Sequence, residues 1–331
     1  MSKLSSFSLA KKTWSSYATA ERLLRECCYQ KDIPLILPLS PDTITRFILW
    51  LAFDRKVSHA SINVYLSGIR QLHIQHQVTC PDLRNDFIKM LIQGKKNLEY
   101  SNNTSSGDKR KPITPELLTR LKSAITQREF TICDKRMIWS ACTILFFGAF
   151  RSSEILTPDS HKFDPRFSLC AEDIKLVNNS NSRSLALTVK TPKEDRTGKN
   201  LTITVHKANS VDICPVVAWE KWRVHNPPQD LGQPAFRWQS GLPFTCRQLN
   251  TLLKELLGAD SEGYSSHSFR IGAASTMGSL GFSDSDIKSV GRWHSNAFNS
   301  YVRLGKSRRQ KNCGKIQQQC LRRQLVSMTG Y

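Results

Sequence analysis

The sequence predicts a mainly α protein with a small antiparallel β-sheet, divided into an all-helical N-terminal half and a mixed α+β C-terminal half. Three observations carry this reading. Apolar residues recur at three- and four-residue steps in the first hundred residues, a polar stretch at 98–114 interrupts them, and alternation with period two appears only later, within 184–205. A chain of 331 residues is long enough to bury two cores.

In the run SPDTITRFILWLAF, Ser40 is placed to cap a helix, Pro41 suits its first position and Asp42 complements its dipole. A second helix follows Ser58, where Ile62, Tyr65, Leu66, Ile69 and Leu72 form one apolar stripe with Arg70 and His73 beside it. The helical half is assigned to 1–98. In LEYSNNTSSGDKRKPIT, Asn, Ser and Gly displace apolar residues, which predicts a linker at 99–111. The second domain, 112–331, opens with a helix at Thr114, Pro115 and Glu116. The run IWSACTILFFGAF predicts a helix ending near Phe150 whose lack of a polar face places it inside the second core.

The period then changes. Leu185, Leu187 and Val189 alternate, a polar stretch intervenes, and Leu201, Ile203 and Val205 alternate again, which predicts a β-hairpin with a basic tip. Helices return after it. Ser283 with Asp286 makes a capping-box pattern, Gly291 ends that helix, and Ser295 starts a short one carrying Ala297, Phe298, Tyr301 and Val302. The stretch 306–325 is basic and peripheral, and 271–290 reads loosely as helix-turn-helix.

Charge narrows the function. Lys and Arg number 48 against 27 Asp and Glu, a net charge of +21 and a pI near 9.8. Solubility alone is served by roughly 2 to 8 charges in a small domain, so this excess points to a polyanion, with nucleic acid ahead of an anionic membrane. The ten cysteines are scattered without a C-x-x-C pair, which excludes a zinc ribbon and a secreted disulfide framework. No signal-peptide core is present and the longest apolar run is too short to span a bilayer, so an intracellular, soluble protein is expected.

The residues able to do chemistry lie in the second half. Arg151 is followed at i+3 by Glu154, close enough to hold its guanidinium, and Arg270 follows small and apolar residues in the same way. Two guanidiniums clamp one phosphodiester bidentately and stay cationic as phosphorus gains charge. His267, one helical turn before Arg270, is placed to donate a hydrogen bond or take a proton. Tyr301 offers a phenol nucleophile, and Lys190, Lys193 and Lys199 around the hairpin tip offer a proton to a departing oxygen. Taken singly, each has a plain structural alternative: an ion-paired arginine, a capping histidine, an apolar-face tyrosine, a solvated lysine. No acidic cluster or Cys/His spacing stands out for a metal, so no cofactor is expected.

The series G-A-F-R-S-S-E, K-E-D, H-S-F-R-I-G-A-A-S and G-R-W-H-S-N-A-F-N-S-Y resembles the ordered motifs of the tyrosine recombinases, and most closely the crypton and DIRS-like recombinases of eukaryotic mobile elements. The resemblance spans most of the chain. It implies a helical core-binding domain, a mixed α+β catalytic domain, and a metal-free recombinase that cuts and rejoins double-stranded DNA, as a tetramer on synapsed DNA, for integration or excision. Carried over by position, Arg151 and Arg270 would clamp the phosphate, His267 would assist proton transfer, Lys193 would be the general acid and Tyr301 would form a 3′-phosphotyrosine. Trp293 would complete the phosphate site, with His294 as the alternative and Lys190 the alternative acid. Together with the basic segments, the eukaryotic likeness implies a nuclear protein. A type IB topoisomerase and a DNA-binding protein derived from a recombinase are the competing readings.

Overall fold

The structure, a computed structural model, describes residues 8–9, 11–102, 110–179, 182–190, 200–227, 230, 232–293 and 298. The chain separates into two compact units, Met1–Gly107 and Asp108–Tyr331.

Four helices make up the described part of the first unit: α1 (Lys11–Gln30), α2 (Pro41–Phe53), α3 (His59–Gln75) and α4 (Asp86–Asn102). Ser40 and Ser58 cap α2 and α3 by accepting from the amides of Thr43 and Ser61, so each chain direction is set by a side chain readable in the sequence. Leu24, Phe47, Ile48, Leu51, Ile62 and Ile69 form the centre of this unit's core. His73 does not flank the stripe as the sequence suggests; it is fully buried within the unit. Its Nδ1 donates to the Ile69 carbonyl at 2.8 Å and its Nε2 accepts from the Leu39 amide at 3.1 Å, which satisfies both ring nitrogens in one neutral tautomer. Helix α4 runs to Asn102, and Lys111 is already fastened to the second unit through its amide to the Gly263 carbonyl.

The second unit contains α5 (Pro115–Gln127), α6 (Ile132–Phe147), a four-residue turn α7 (Ser152–Ile155), the strands β1 (Ile174–Asn179), β2 (Ser182–Val189) and β3 (Leu201–His206), and then α8 (Pro215–His225), α9 (Cys246–Leu257), α10 (His267–Ser279) and α11 (Asp284–Gly291). Every residue of α6 from Met137 to Phe147 is buried, the burial its missing polar face implies. The helix stops at Phe147 rather than near Phe150, because Gly148 ends it and Ala149 turns left-handed at φ 44°. The sheet has the order β1-β2-β3, antiparallel throughout, with Val189 opposite Leu201 at the base of the expected hairpin. Leu185, Leu187, Val189 and Val205 face the core. Strand β1 is an addition the alternation does not announce: of its apolar residues only Ile174 is fully buried, and Leu176 points to solvent.

Helix α10 lies against the chain that enters the second unit. The Ile113 amide donates to the Ser268 carbonyl, and a Cβ on Gly272 would stand 1.9 Å from the Ile113 carbonyl oxygen. Backbone, not a flexible side chain, occupies that space. Gly272→Ala is therefore expected to destabilise the second unit by about 1–3 kcal/mol, read as a lower urea midpoint with unchanged slope.

Candidate active site

The site grows from the end of α6. Gly148 and the left-handed Ala149 reverse the chain, Phe150 returns to the core with its amide on the Leu145 carbonyl, and the carbonyls of Gly148 and Ala149 are left free of the helix ladder. Positive φ at an alanine costs on the order of 1 kcal/mol, so the turn persists because other groups hold it. Arg151 follows immediately as the N-cap of α7. Glu154 reaches back to it twice, accepting from the Arg151 amide at 2.9 Å and from Nη1 at 2.9 Å. This is the i+3 carboxylate the sequence points to, and its geometry fixes both the backbone and the guanidinium of Arg151.

Arg270 comes from the first turns of α10, which begins at His267. Only 1 % of it is exposed. Its Nη1 donates to the Ala149 carbonyl at 2.6 Å, its Nη2 donates to the Gly291 carbonyl, and the Trp293 ring lies beneath it with 4.4 Å between Cζ and the ring centroid. Ser266 Oγ bonds Ser152 Oγ at 3.0 Å, tying the start of α10, next to His267, to the turn that bears Arg151. The structure thus brings Arg151, Arg270 and Trp293 to one place, with His267 one turn of helix away. Burying so polar a side chain is tolerated because its planar fork finds carbonyls and an indole face.

The third wall is the end of α11. Its Ser283–Asp286 capping box forms as the pattern predicts. At the other end, Gly291 is required by a close approach: a Cβ there would lie 1.6 Å from the Trp293 ring. Trp293 also packs at 6.1 Å from Phe298, which is fully buried with Ala274, Met277 and Ile287. Phe298, which packs on the ring that underlies Arg270, is three residues before Tyr301 in sequence. Tyr301, Lys193 and the alternative His294 lie outside the described residues, as does the helix expected from Ser295 apart from Phe298. Lys190, at the base of the hairpin, is described: its Nζ pairs with Asp173 at 2.7 Å, donates to the Pro165 carbonyl and lies 3.4 Å from Cys170 Sγ. Burial pulls the Lys190 pKa down, but Asp173 and Cys170 outweigh it and hold the ammonium above its ordinary value.

Arg292 is the residue that sequence reading did not single out. It adopts the left-handed conformation at φ 54° and spreads its guanidinium over four acceptors: Glu154 Oε2 at 3.0 Å and the carbonyls of Gly148, Val290 and Ala149. Phe150 lies under it at 4.9 Å. Its carboxylate partner is 138 residues away along the chain, so no local spacing discloses the pair. Two guanidiniums therefore pair with the Glu154 carboxylate and a third, that of Arg270, lies near enough to act on it, leaving a local excess of positive charge. Burial raises the Glu154 carboxyl, yet Arg292, the Arg151 amide, Arg270 and Arg151 together hold it below the usual carboxylate range. Fixed cations beside a buried anion, with the excess directed at a partly exposed Arg151, suit an incoming phosphate.

No family model and no curated protein matches this sequence. Solved structures do. The XerH site-specific recombinase, in a post-cleavage complex with palindromic difH substrate, superposes with a TM-score of 0.60 at 16 % identity, over 89 % of this chain and 77 % of that one. The fold is that of the tyrosine recombinases. A lambda integrase dimer bound to a COC′ core site gives a TM-score of 0.56 at 12 % identity, over 95 % of this chain and 76 % of that one. The Tn1549 transposon integrase in complex with circular intermediate DNA gives 0.55 at 11 % identity, over 92 % and 93 %. A tyrosine-recombinase fold at such identities is recognised by topology, the α-helical units and the small antiparallel sheet, rather than by residues.

Proposed function

We propose that the protein is a metal-independent tyrosine recombinase that cleaves and rejoins double-stranded DNA, acting in the integration or excision of a mobile element. The observation that carries this reading is the assembly of Arg151, Arg270 and Trp293 around the Gly148–Ala149 turn, within a tyrosine-recombinase fold. Motif order along the chain supports it, and a net charge of +21 suits a DNA partner.

In this reading Arg151 and Arg270 hold the nonbridging oxygens of the scissile phosphate and Trp293 buttresses Arg270. His267 takes the phenolic proton as the Tyr301 oxygen attacks phosphorus. The bond from phosphorus to the 5′ oxygen breaks, and Lys193 protonates that oxygen as it leaves. The 3′-phosphotyrosine conserves the energy of the broken ester, so a 5′-hydroxyl from another strand reverses the step without nucleotide hydrolysis. Lys190, held by Asp173, is less suited than Lys193 to move a proton at the phosphate. The helical unit serves as the core-binding domain, four protomers act on synapsed DNA, the work is nuclear, and the nearest kin are the crypton and DIRS-like enzymes.

Covalent capture tests the reading. Incubation with a pool of nicked duplexes in chelator is expected to leave DNA attached to the protein under denaturing conditions, because the short 5′-hydroxyl fragment escapes before religation. Joining of two labelled duplexes separates recombination from topoisomerase-like relaxation of one plasmid. Firm DNA binding without any adduct is the outcome expected of a DNA-binding protein that has lost the chemistry.

A further inference from the structure

Arg292 bonds to four acceptors among the described residues, and these lie in two segments with different tasks. Through Gly148 O, Ala149 O and Glu154 it grips the turn that carries Arg151. Through Val290 O, and through its own place between Gly291 and Trp293, it belongs to the segment that continues to Phe298 and Tyr301. Arg270 spans the same two segments at Ala149 O and Gly291 O, so two guanidinium forks, one buried and one partly exposed, brace one gap. The side chain is also fixed by its backbone. A left-handed φ of 54° is unfavourable for arginine, and Asn would adopt it more readily, yet the fork reaches its acceptors from there.

We propose that Arg292 is a positioning residue for the strand-transfer reaction: it sets the distance between the Arg151 phosphate clamp and the segment that delivers Tyr301. It acts through Glu154 and the Ala149 turn, and the inference rests on the recombinase reading above. The guanidinium, not merely the turn, is what the site needs. Small displacements of reacting groups cost about a hundredfold in rate, so the loss falls on the chemical step rather than on DNA affinity.

A second consequence follows from the charges around Glu154, which faces Arg151 from its own turn, Arg270 from α10 and Arg292 from the end of α11. A carboxyl held low by these partners contributes stability above its unfolded pKa and loses it as pH falls through its folded value. Without the Arg292 charge, the first of the groups that hold it down is lost and the Glu154 pKa moves up. The acid limb of the reaction then moves to higher pH, a change that simple loss of packing does not produce.

The test measures adduct formation on saturating nicked duplex for the intact protein, R292N and R292K across acidic and neutral pH, with DNA affinity and the folded fraction measured in parallel. R292N keeps the left-handed turn and removes the fork; R292K keeps the charge on a single donor. The expected result is a rate about a hundredfold lower in R292N with unchanged affinity, an intermediate rate in R292K, and an acid limb shifted upward in R292N. An R292N rate and acid limb equal to those of the intact protein overturn the proposal while leaving the recombinase reading in place. So does a rate loss fully accounted for by unfolded protein, judged on R292K if R292N does not fold. Absence of adduct from the intact protein removes the recombinase reading and this proposal together.

Discussion

Tyr301→Phe is expected to eliminate covalent protein–DNA adducts while leaving DNA binding intact. The substitution deletes one oxygen from a chain otherwise unaltered, and no other protein group in the proposed reaction forms a bond to phosphorus. Loss of a covalent nucleophile removes at least about a thousandfold in rate, and here the intermediate itself cannot form. Binding depends on many phosphate contacts and stays at its original affinity and salt dependence. The measurement is denaturing electrophoresis of labelled nicked duplex alongside equilibrium binding of the same preparation. Equal adduct from both proteins would assign the nucleophile elsewhere, and loss of binding in Tyr301→Phe would show that the tyrosine supports structure.

Arg270→Ala carries the next largest effect, on activity and stability together. Arg270 is buried against the Ala149 and Gly291 carbonyls and the Trp293 ring, so truncation takes the Arg270 donor from both carbonyls, leaves Ala149 only the longer bond from Arg292, and opens a void over the indole. It also takes one of three cations from Glu154. Losing buried hydrogen bonds from a charged donor and opening a void costs about 2–5 kcal/mol, which lowers the chemical-denaturation midpoint of the second unit. In the reaction, removal of a preorganised donor costs about a hundred- to a thousandfold. Arg270→Lys separates the effects. It retains charge without the planar fork, so it should recover part of the stability and little of the rate. Adduct formation by Arg270→Ala at the original rate would exclude the residue from the phosphate site.

Several parts of the fold were legible because their causes are local. Ser40, Ser58, Thr114 and Ser283 cap helices where the sequence places them, since each cap is made by a side chain within three residues of its target amide. The β2–β3 hairpin appears in the alternation of Leu185, Leu187 and Val189 because one face of those strands is core and the other is not. Strand β1 was not legible, as an edge strand burying little besides Ile174 leaves no periodic trace. Helix α1 buries Ala20, Leu23, Leu24, Cys27 and Cys28 at helical spacing, but alanine and cysteine mark an apolar face only weakly.

The site divides along the same line. The Arg151–Glu154 pair was visible because it closes over three residues. By itself the sequence determined the ordered series of residue types, the basic balance and the helix and hairpin boundaries set by caps and periodicity. Only the tertiary structure decided that Arg270 is buried on Trp293, that His73 is a core histidine, and that Arg292 shares Glu154 with Arg151. Periodicity and capping act over a few residues, whereas these contacts join groups up to 138 residues apart and exist only once a core has formed around each.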